Sequence, residues 1–301
     1  MGAGAVGGYF GARLAAAGND VTFVARGEHL RAMERDGLRI ASVQGDLAIG
    51  GRFAAAAGTA GPADLVLLAV KSQDTDTAAR ALAPLIERDT AILSLQNGVD
   101  NAERVARLWG ADRSLAGVAH ISARVAAPGV IEHTGGGEIV LGATQPGGGE
   151  KARAAHAILA KAGVPCELSA HIQEALWKKL AWNAPFCALA CLLRMTVGEI
   201  LASPALDGLV RACVEEVREA AACRGVMLPP TTAQDAITVS AALRDVKPSM
   251  LQDLEAGKPL EHEALNGVVV RTLQHAGRRA PISELLYASL CRLDGELRTR
   301  R

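Results

Sequence analysis

The chain opens Met1-Gly2-Ala3-Gly4-Ala5-Val6-Gly7-Gly8-Tyr9-Phe10-Gly11. Gly2, Gly4 and Gly7 stand in GxGxxG spacing. Between a strand and a helix, the first glycine permits a tight turn and the second lets a pyrophosphate approach the backbone. The third lets helix and strand pack closely, with the phosphates at the helix N-terminus. The spacing alone is weak evidence, because the chain holds 32 glycines and about a fifth of it is alanine. Its context is stronger: helical spacing over Gly7–Ala17, then Gly18, then the strand-like VTFVA at Val21–Ala25. In that setting Gly2, Ala3, Gly4, Ala5, Val6 and Gly7 read as the backbone cradle of a dinucleotide. Only Met1 precedes Gly2, where a buried central strand belongs. The expectation is that the sequence starts at an internal methionine and lacks a strand of about five residues. Restoring upstream codons in frame should then raise the melting temperature and cofactor affinity, and no gain in either would refute the idea.

Dinucleotide folds that take NAD place an acidic residue at the end of the second strand, about 20 residues past the glycines, to hold the ribose 2′-hydroxyl. This chain has Arg26 there, in Val24-Ala25-Arg26-Gly27. A guanidinium suits a 2′-phosphate, which points to NADPH/NADP+, unless Arg26 is simply a solvated loop residue.

Further strands read at Asp64–Val70 (DLVLLAV), Ala91–Leu95 and Ser114–Ala119, then at Ile131–His133 and Glu138–Leu141 with a glycine turn between them. Helical patterns lie at Glu28–Asp36, Thr75–Leu85, Asn101–Leu108 and Glu150–Ala162, the last stopped by Gly163. Short apolar strands alternating with helices indicate a parallel sheet with helices on both faces. After Pro165 the text changes. Ile172–Leu193, Ser203–Arg224, Thr232–Asp245 and Glu261–Ala276 carry helical spacing, and no strand is expected. The fold class is therefore α/β: a Rossmann-type parallel-sheet domain over 1–165, its first strand truncated, and an all-helical domain over 166–301. The first is read as the NADP-binding domain.

Composition narrows the function. The 301 residues carry 32 basic and 32 acidic side chains, and half are apolar but only 3% aromatic. Zero net charge argues against nucleic acid or an anionic membrane as partner. The longest uncharged apolar run, Ala184–Leu193, is far short of the roughly 20 residues that span a bilayer. The six cysteines form no CxxC pair and sit mostly in helical text, as reduced cysteines in a cytoplasmic protein do. No metal site is expected. His120, His133 and His171 are isolated and read as packed or surface histidines.

Three further stretches narrow the reading: Val70-Lys71-Ser72, Gln96-Asn97-Gly98, and Trp177-Lys178-Lys179-Leu180-Ala181-Trp182-Asn183. With Pro248-Ser249-Met250-Leu251-Gln252-Asp253 and Leu265-Asn266-Gly267, they resemble the ketopantoate reductase (2-dehydropantoate 2-reductase) family along nearly the whole chain. The resemblance implies an N-terminal Rossmann domain, a C-terminal helical domain over 166–301 that serves as the substrate and catalytic domain, and a cleft between them. It also implies NADPH-dependent reduction of a small 2-oxo acid, 2-dehydropantoate to pantoate, in pantothenate biosynthesis. Lys179 matches the family's general acid, Asn183 its substrate-contacting asparagine and Ser249 its carboxylate-binding serine. Glu261 matches a glutamate touching substrate and cofactor, although taken alone it reads as a helix-start carboxylate beside Pro259. Asn97 and Lys71 match residues at strand C-termini facing cofactor and substrate, and Ala123 a backbone contact to the cofactor. On a helix, Lys179 and Asn183 share a face and can meet one ligand. Lys178 reads as a solvated neighbour.

Two positions depart from that pattern. Cys187 stands where the family has a second substrate asparagine, and Val197 where its founding members carry a polar side chain. A different 2-oxo acid, larger or more apolar, is therefore an alternative reading, and a catalytically idle NADPH sensor is another. The alanine-rich helices suit packing within one subunit or across a homodimer.

Overall fold

The computed structural model describes residues 1–299. The chain forms two compact units, Met1–Gln96 with Asp100–Ile172, and Asn97–Val99 with the chain from Gln173 onward.

In the first unit the order is α1 (Ala5–Ala16), β1 (Thr22–Val24), α2 (Gly27–Asp36), β2 (Leu38–Ser42), β3 (Leu47–Ile49), β4 (Arg52–Ala54) and β5 (Leu65–Leu68). Then come α3 (Thr75–Ala81), β6 (Ala91–Ser94), α4 (Asn101–Trp109), β7 (Ser114–Ala127), β8 (Val130–Ala143), α5 (Gly149–Lys161) and β9 (Cys166–Leu168). The expected β/α alternation and parallel pairing are present: β5 pairs β6, and β6 pairs β7, in parallel. The seven-stranded sheet runs β3-β2-β8-β7-β6-β5, with β9 on β8, and β1 and β4 form a separate parallel pair. Residues at the chain start link the two. The Met1 α-amino group donates to Leu67 O and the Ala69 N–H to Met1 O, while the Gly2 and Ala3 N–H groups donate to Val24 O.

The structure corrects the strand reading in three places. The stretches at Ile131–His133 and Glu138–Leu141 belong to one strand, β8, unbroken by a glycine turn. It runs antiparallel to the equally long β7, and register shifts after His120, Ser122 and Val125 absorb the irregularity, the first of them skipping Gly137. The sheet is consequently mixed rather than purely parallel. After Pro165 there is a strand after all: β9 adds to β8 in parallel, its backbone partners supplied by Ile139–Leu141. Three residues of mixed polarity carry no periodicity to read. Strands β3 and β4 are equally short, and β2 alternates buried and exposed residues over only five positions, so none of the three was expected. The core of this unit sets Tyr9, Phe10 and Leu14 of α1 against Ile131, Ile139 and Leu141 of β8 and Leu93 of β6. His133 is fully buried there, stacked 4.3 Å from Tyr9 and bonded to Ser42 Oγ.

The second unit is helical: α6 (Ile172–Leu193, which begins one residue before the division), α7 (Val197–Ala202), α8 (Pro204–Cys223), α9 (Thr232–Ser240), α10 (Ser249–Glu255), α11 (Val268–His275) and α12 (Pro281–Thr299). Helix α6 has the expected bounds and continues through Pro185. From Ala181 to Cys191 it is buried apart from Trp182, as expected of a helix apolar on every side. The Asn266 amide donates to Ala184 O beside the proline. The helix expected over Glu261–Ala276 is divided, a π-helical turn over Glu263–Gly267 preceding α11. That over Thr232–Asp245 ends early, its last turn tightening to 3-10 form at Ala241–Leu243. No described helix is long and apolar enough to cross a membrane.

Candidate active site

Within the first unit, the three motif glycines behave differently. Gly2 has φ +89°, and a Cβ there would meet Val70 N at 2.7 Å. A Cβ on Gly7 would meet Gly2 O at 2.3 Å. Both positions are closed by the chain itself. A Cβ on Gly4 would meet nothing within 4 Å, so this glycine faces open space at the start of α1. Gly4 is the N-cap of α1, and no side chain caps that end and no acidic residue lies in its first turn. Helix N–H groups without a side-chain cap, beside a bare backbone, fit a phosphate or pyrophosphate. Ala3 is buried under the turn, where its carbonyl meets His29 Nε2 at 2.9 Å.

Two strand ends flank this turn. Arg26 follows β1 as the N-cap of α2, with an extended backbone. Lys71 follows β5, half-buried, at the head of the short 3-10 turn Ser72–Asp74. Arg26 is not alone: its Nη2 donates to Asp74 Oδ2 at 2.8 Å. Gln96, at the end of β6, ties the neighbouring strand end down, donating to Val70 O at 3.0 Å and to Thr75 Oγ1 at 2.7 Å. Asp74 and Thr75 had no sequence signal and Gln96 stood only as the neighbour of Asn97, because their partners lie 21 to 48 residues away. Ala123 lies on β7 opposite His133 of β8, half-buried.

The second unit brings together most of the remaining expected residues. Lys179, Asn183 and Cys187 succeed one another at i, i+4 and i+8 along one face of α6. Lys179 is half-buried, and Asn183 and Cys187 are buried. Burial pulls the Lys179 ammonium down to a pKa of about 8, and the nearby Glu261 carboxylate partly offsets that. Glu261 is buried, and its Oε2 accepts from Asn97 Nδ2 at 3.2 Å. Cys187 is pushed up to about 12, by burial first and then by Glu261, against a lowering from the Met250 backbone. At neutral pH it is therefore a neutral thiol, and the charged partner of Lys179 is Glu261. Lys178 points elsewhere, to an exposed pair with Glu174 at 2.6 Å.

Ser249 is exposed at the first turn of α10, one residue before the Met250 backbone that reaches Cys187. Val197, fully buried, opens α7 behind a Thr196–Glu199 capping box. One contributor had no signal in the sequence: Asp294 of α12, buried, accepts from the Leu260 N–H at 2.8 Å and so fixes the backbone directly before Glu261. A half-buried ammonium with a lowered pKa, beside a buried carboxylate and two amides, can protonate an oxygen as negative charge develops on it.

Comparison with known proteins identifies the family. The family model described as Ketopantoate reductase PanE/ApbA matches residues 1–146, and that described as Ketopantoate reductase PanE/ApbA C terminal matches residues 171–293. A 2-dehydropantoate 2-reductase of Pyrococcus horikoshii is 31% identical over 288 residues, covering 96% of this chain and 94% of its own length. The crystal structure of 2-dehydropantoate 2-reductase from Geobacter metallireducens superposes with a TM-score of 0.92 at 34% identity, covering 97% of this chain and 98% of that one. D-mandelate dehydrogenase, in a ternary structure with NADH and anilino(oxo)acetate, shares the fold with a TM-score of 0.93 at 21% identity, over 99% and 97% of the two chains. Glycine turn, lysine-bearing helix and family models agree, and the chain belongs to the ketopantoate reductase family, oxidoreductases that act on a CH–OH group with a nicotinamide dinucleotide.

Proposed function

We propose that this protein reduces 2-dehydropantoate to pantoate with NADPH, as a cytoplasmic step of pantothenate biosynthesis. The observation that carries the reading is Lys179, half-buried with its pKa lowered to about 8, one turn from Asn183 and beside Glu261. Residues 1–165 act as the NADP-binding domain and 166–301 as the substrate and catalytic domain. The Gly2–Gly7 backbone holds the pyrophosphate, Arg26 the 2′-phosphate, and Lys71, Asn97 and Ala123 the rest of the dinucleotide. When bound, the dinucleotide supplies a hydride to the ketone carbon.

As the carbonyl π bond breaks, its electron pair moves to oxygen. Lys179 donates the proton there and becomes a neutral amine, to be reprotonated from solvent. Glu261, held by Asn97, keeps Lys179 protonated before that step and orients it. Asn183 hydrogen-bonds the substrate, and Ser249 binds its carboxylate. Oxidation of NADPH with 2-dehydropantoate and a panel of 2-oxo acids tests the reading, with wild type beside Lys179→Ala. Turnover that peaks on 2-dehydropantoate and collapses in the variant is expected, and equal rates in both proteins would refute the mechanism.

One observation favours a second substrate. Cys187 offers a buried neutral thiol on the face shared with Lys179 and Asn183, where an amide would reward a substrate hydroxyl. A site without that partner discriminates less well against analogues lacking the hydroxyl, by roughly 1–3 kcal/mol. A larger, more apolar 2-oxo acid turned over faster than 2-dehydropantoate in the same panel would establish this reading. Cys187→Asn should then shift preference back toward the hydroxylated acid.

A further inference from the structure

The Arg26–Asp74 pair bridges the C-terminal ends of two strands that the start of the chain joins. β1 is bonded to Gly2 and Ala3 through Val24 O, and β5 to Met1 through Leu67 O. Arg26 and Asp74 therefore stand on either side of the glycine turn, their charged groups 2.8 Å apart. Both are solvent-accessible, with side chains 81% and 42% exposed, so a solute can reach and part them.

The two groups favour opposite ligands. A guanidinium binds a phosphate dianion, while a carboxylate accepts from a ribose hydroxyl and repels a phosphate. In the usual arrangement the carboxylate that holds the 2′-hydroxyl ends the second strand. Here that place belongs to Arg26, and the carboxylate comes from the opposite strand end, 48 residues on.

Resting on the dinucleotide reading of the glycine turn and Arg26, we propose that Asp74 is a specificity-determining residue that sets the choice between NADPH and NADH. It competes with the 2′-phosphate for Arg26 and serves as acceptor for an unphosphorylated ribose. The site is thus built to take both dinucleotides, with Asp74 holding the preference for NADPH below what Arg26 alone would give.

The test is direct binding, without substrate. Dissociation constants for NADPH and for NADH are measured by fluorescence titration at one fixed ionic strength, on wild type, Asp74→Asn and Arg26→Gln. Breaking an exposed ion pair is worth up to about fivefold, so Asp74→Asn should tighten NADPH by about that factor while weakening NADH. Arg26→Gln should weaken NADPH selectively. Both variants should melt as wild type does, since the pair is exposed. A preference for NADPH that is unchanged or lowered in Asp74→Asn overturns the proposal, because Asp74 would then be idle or would be positioning Arg26 for phosphate. An NADPH preference unchanged in Arg26→Gln overturns instead the assignment of Arg26 to the 2′-phosphate, whatever Asp74 does.

Discussion

Lys179 has a folded-state pKa of about 8 against an ordinary lysine value of 10.5, and burial is the main cause. Two consequences follow at the scale of this residue. A proton donor must be protonated, so the rate of reduction should fall as pH rises through about 8, and a pH–rate profile measures it. The effect on stability has the opposite sign. Between 8 and 10.5 the unfolded chain holds the proton and the folded chain does not, so stability rises with pH across that window. Chemical denaturation at several pH values should show the rise in wild type and its loss in Lys179→Met. The place of Lys179 was legible because residues 177–183 carry their pattern within two helical turns. The Asn97–Glu261 bond and the Asp294 support of Leu260 were not, since they join residues 164 and 34 positions apart. Only the fold brings such pairs together.

Among the elements, the glycine turn separates folding from binding. Gly2→Ala and Gly7→Ala force a Cβ into Val70 N and Gly2 O, contacts of 2.7 and 2.3 Å with backbone that cannot swing away. Each should lower the melting temperature of the unliganded protein, by about 1–3 kcal/mol in stability. Gly4→Ala places its methyl in open space and should cost under about 1 kcal/mol. Its effect should appear in dinucleotide affinity, measured by fluorescence titration, because the methyl enters the path of the pyrophosphate. Helix α6, an apolar stretch without glycine, had the bounds its text announces. Strand β8 did not, because three consecutive glycines at 135–137 read as a turn, yet Gly136 and Gly137, with φ of +71° and +108°, form an irregularity inside one strand, where the β7 register skips Gly137. The local signal for a backbone irregularity was sound, and only its extent, a bulge and not a reversal of the chain, depends on the pairing of β7 with both flanks.

Across the whole molecule, the change of text near Pro165 made two units of different architecture legible, and the structure divides close by, after Ile172. The sheet order was beyond reach of the sequence, since β2 pairs with a strand about 90 residues later. In the helical unit, long-range order depends on buried carboxylates. Glu216 of α8, 9% exposed, accepts the Ile282 and Ser283 N–H groups at 2.8 and 2.7 Å and so caps α12 from another helix. Glu216→Ala leaves two donors without that acceptor and should destabilise the protein by about 1–3 kcal/mol, read from denaturant unfolding.

The central claim is that Lys179 protonates a 2-oxo acid as NADPH reduces it. Steady-state oxidation of NADPH by 2-dehydropantoate, followed from pH 6 to 10 in wild type and Lys179→Ala, tests it most directly. Wild type should lose rate through a single ionisation near 8, and the variant should be slower by about 10²–10⁴-fold with that ionisation gone. A variant that keeps the wild-type rate and the same descending limb would contradict the account.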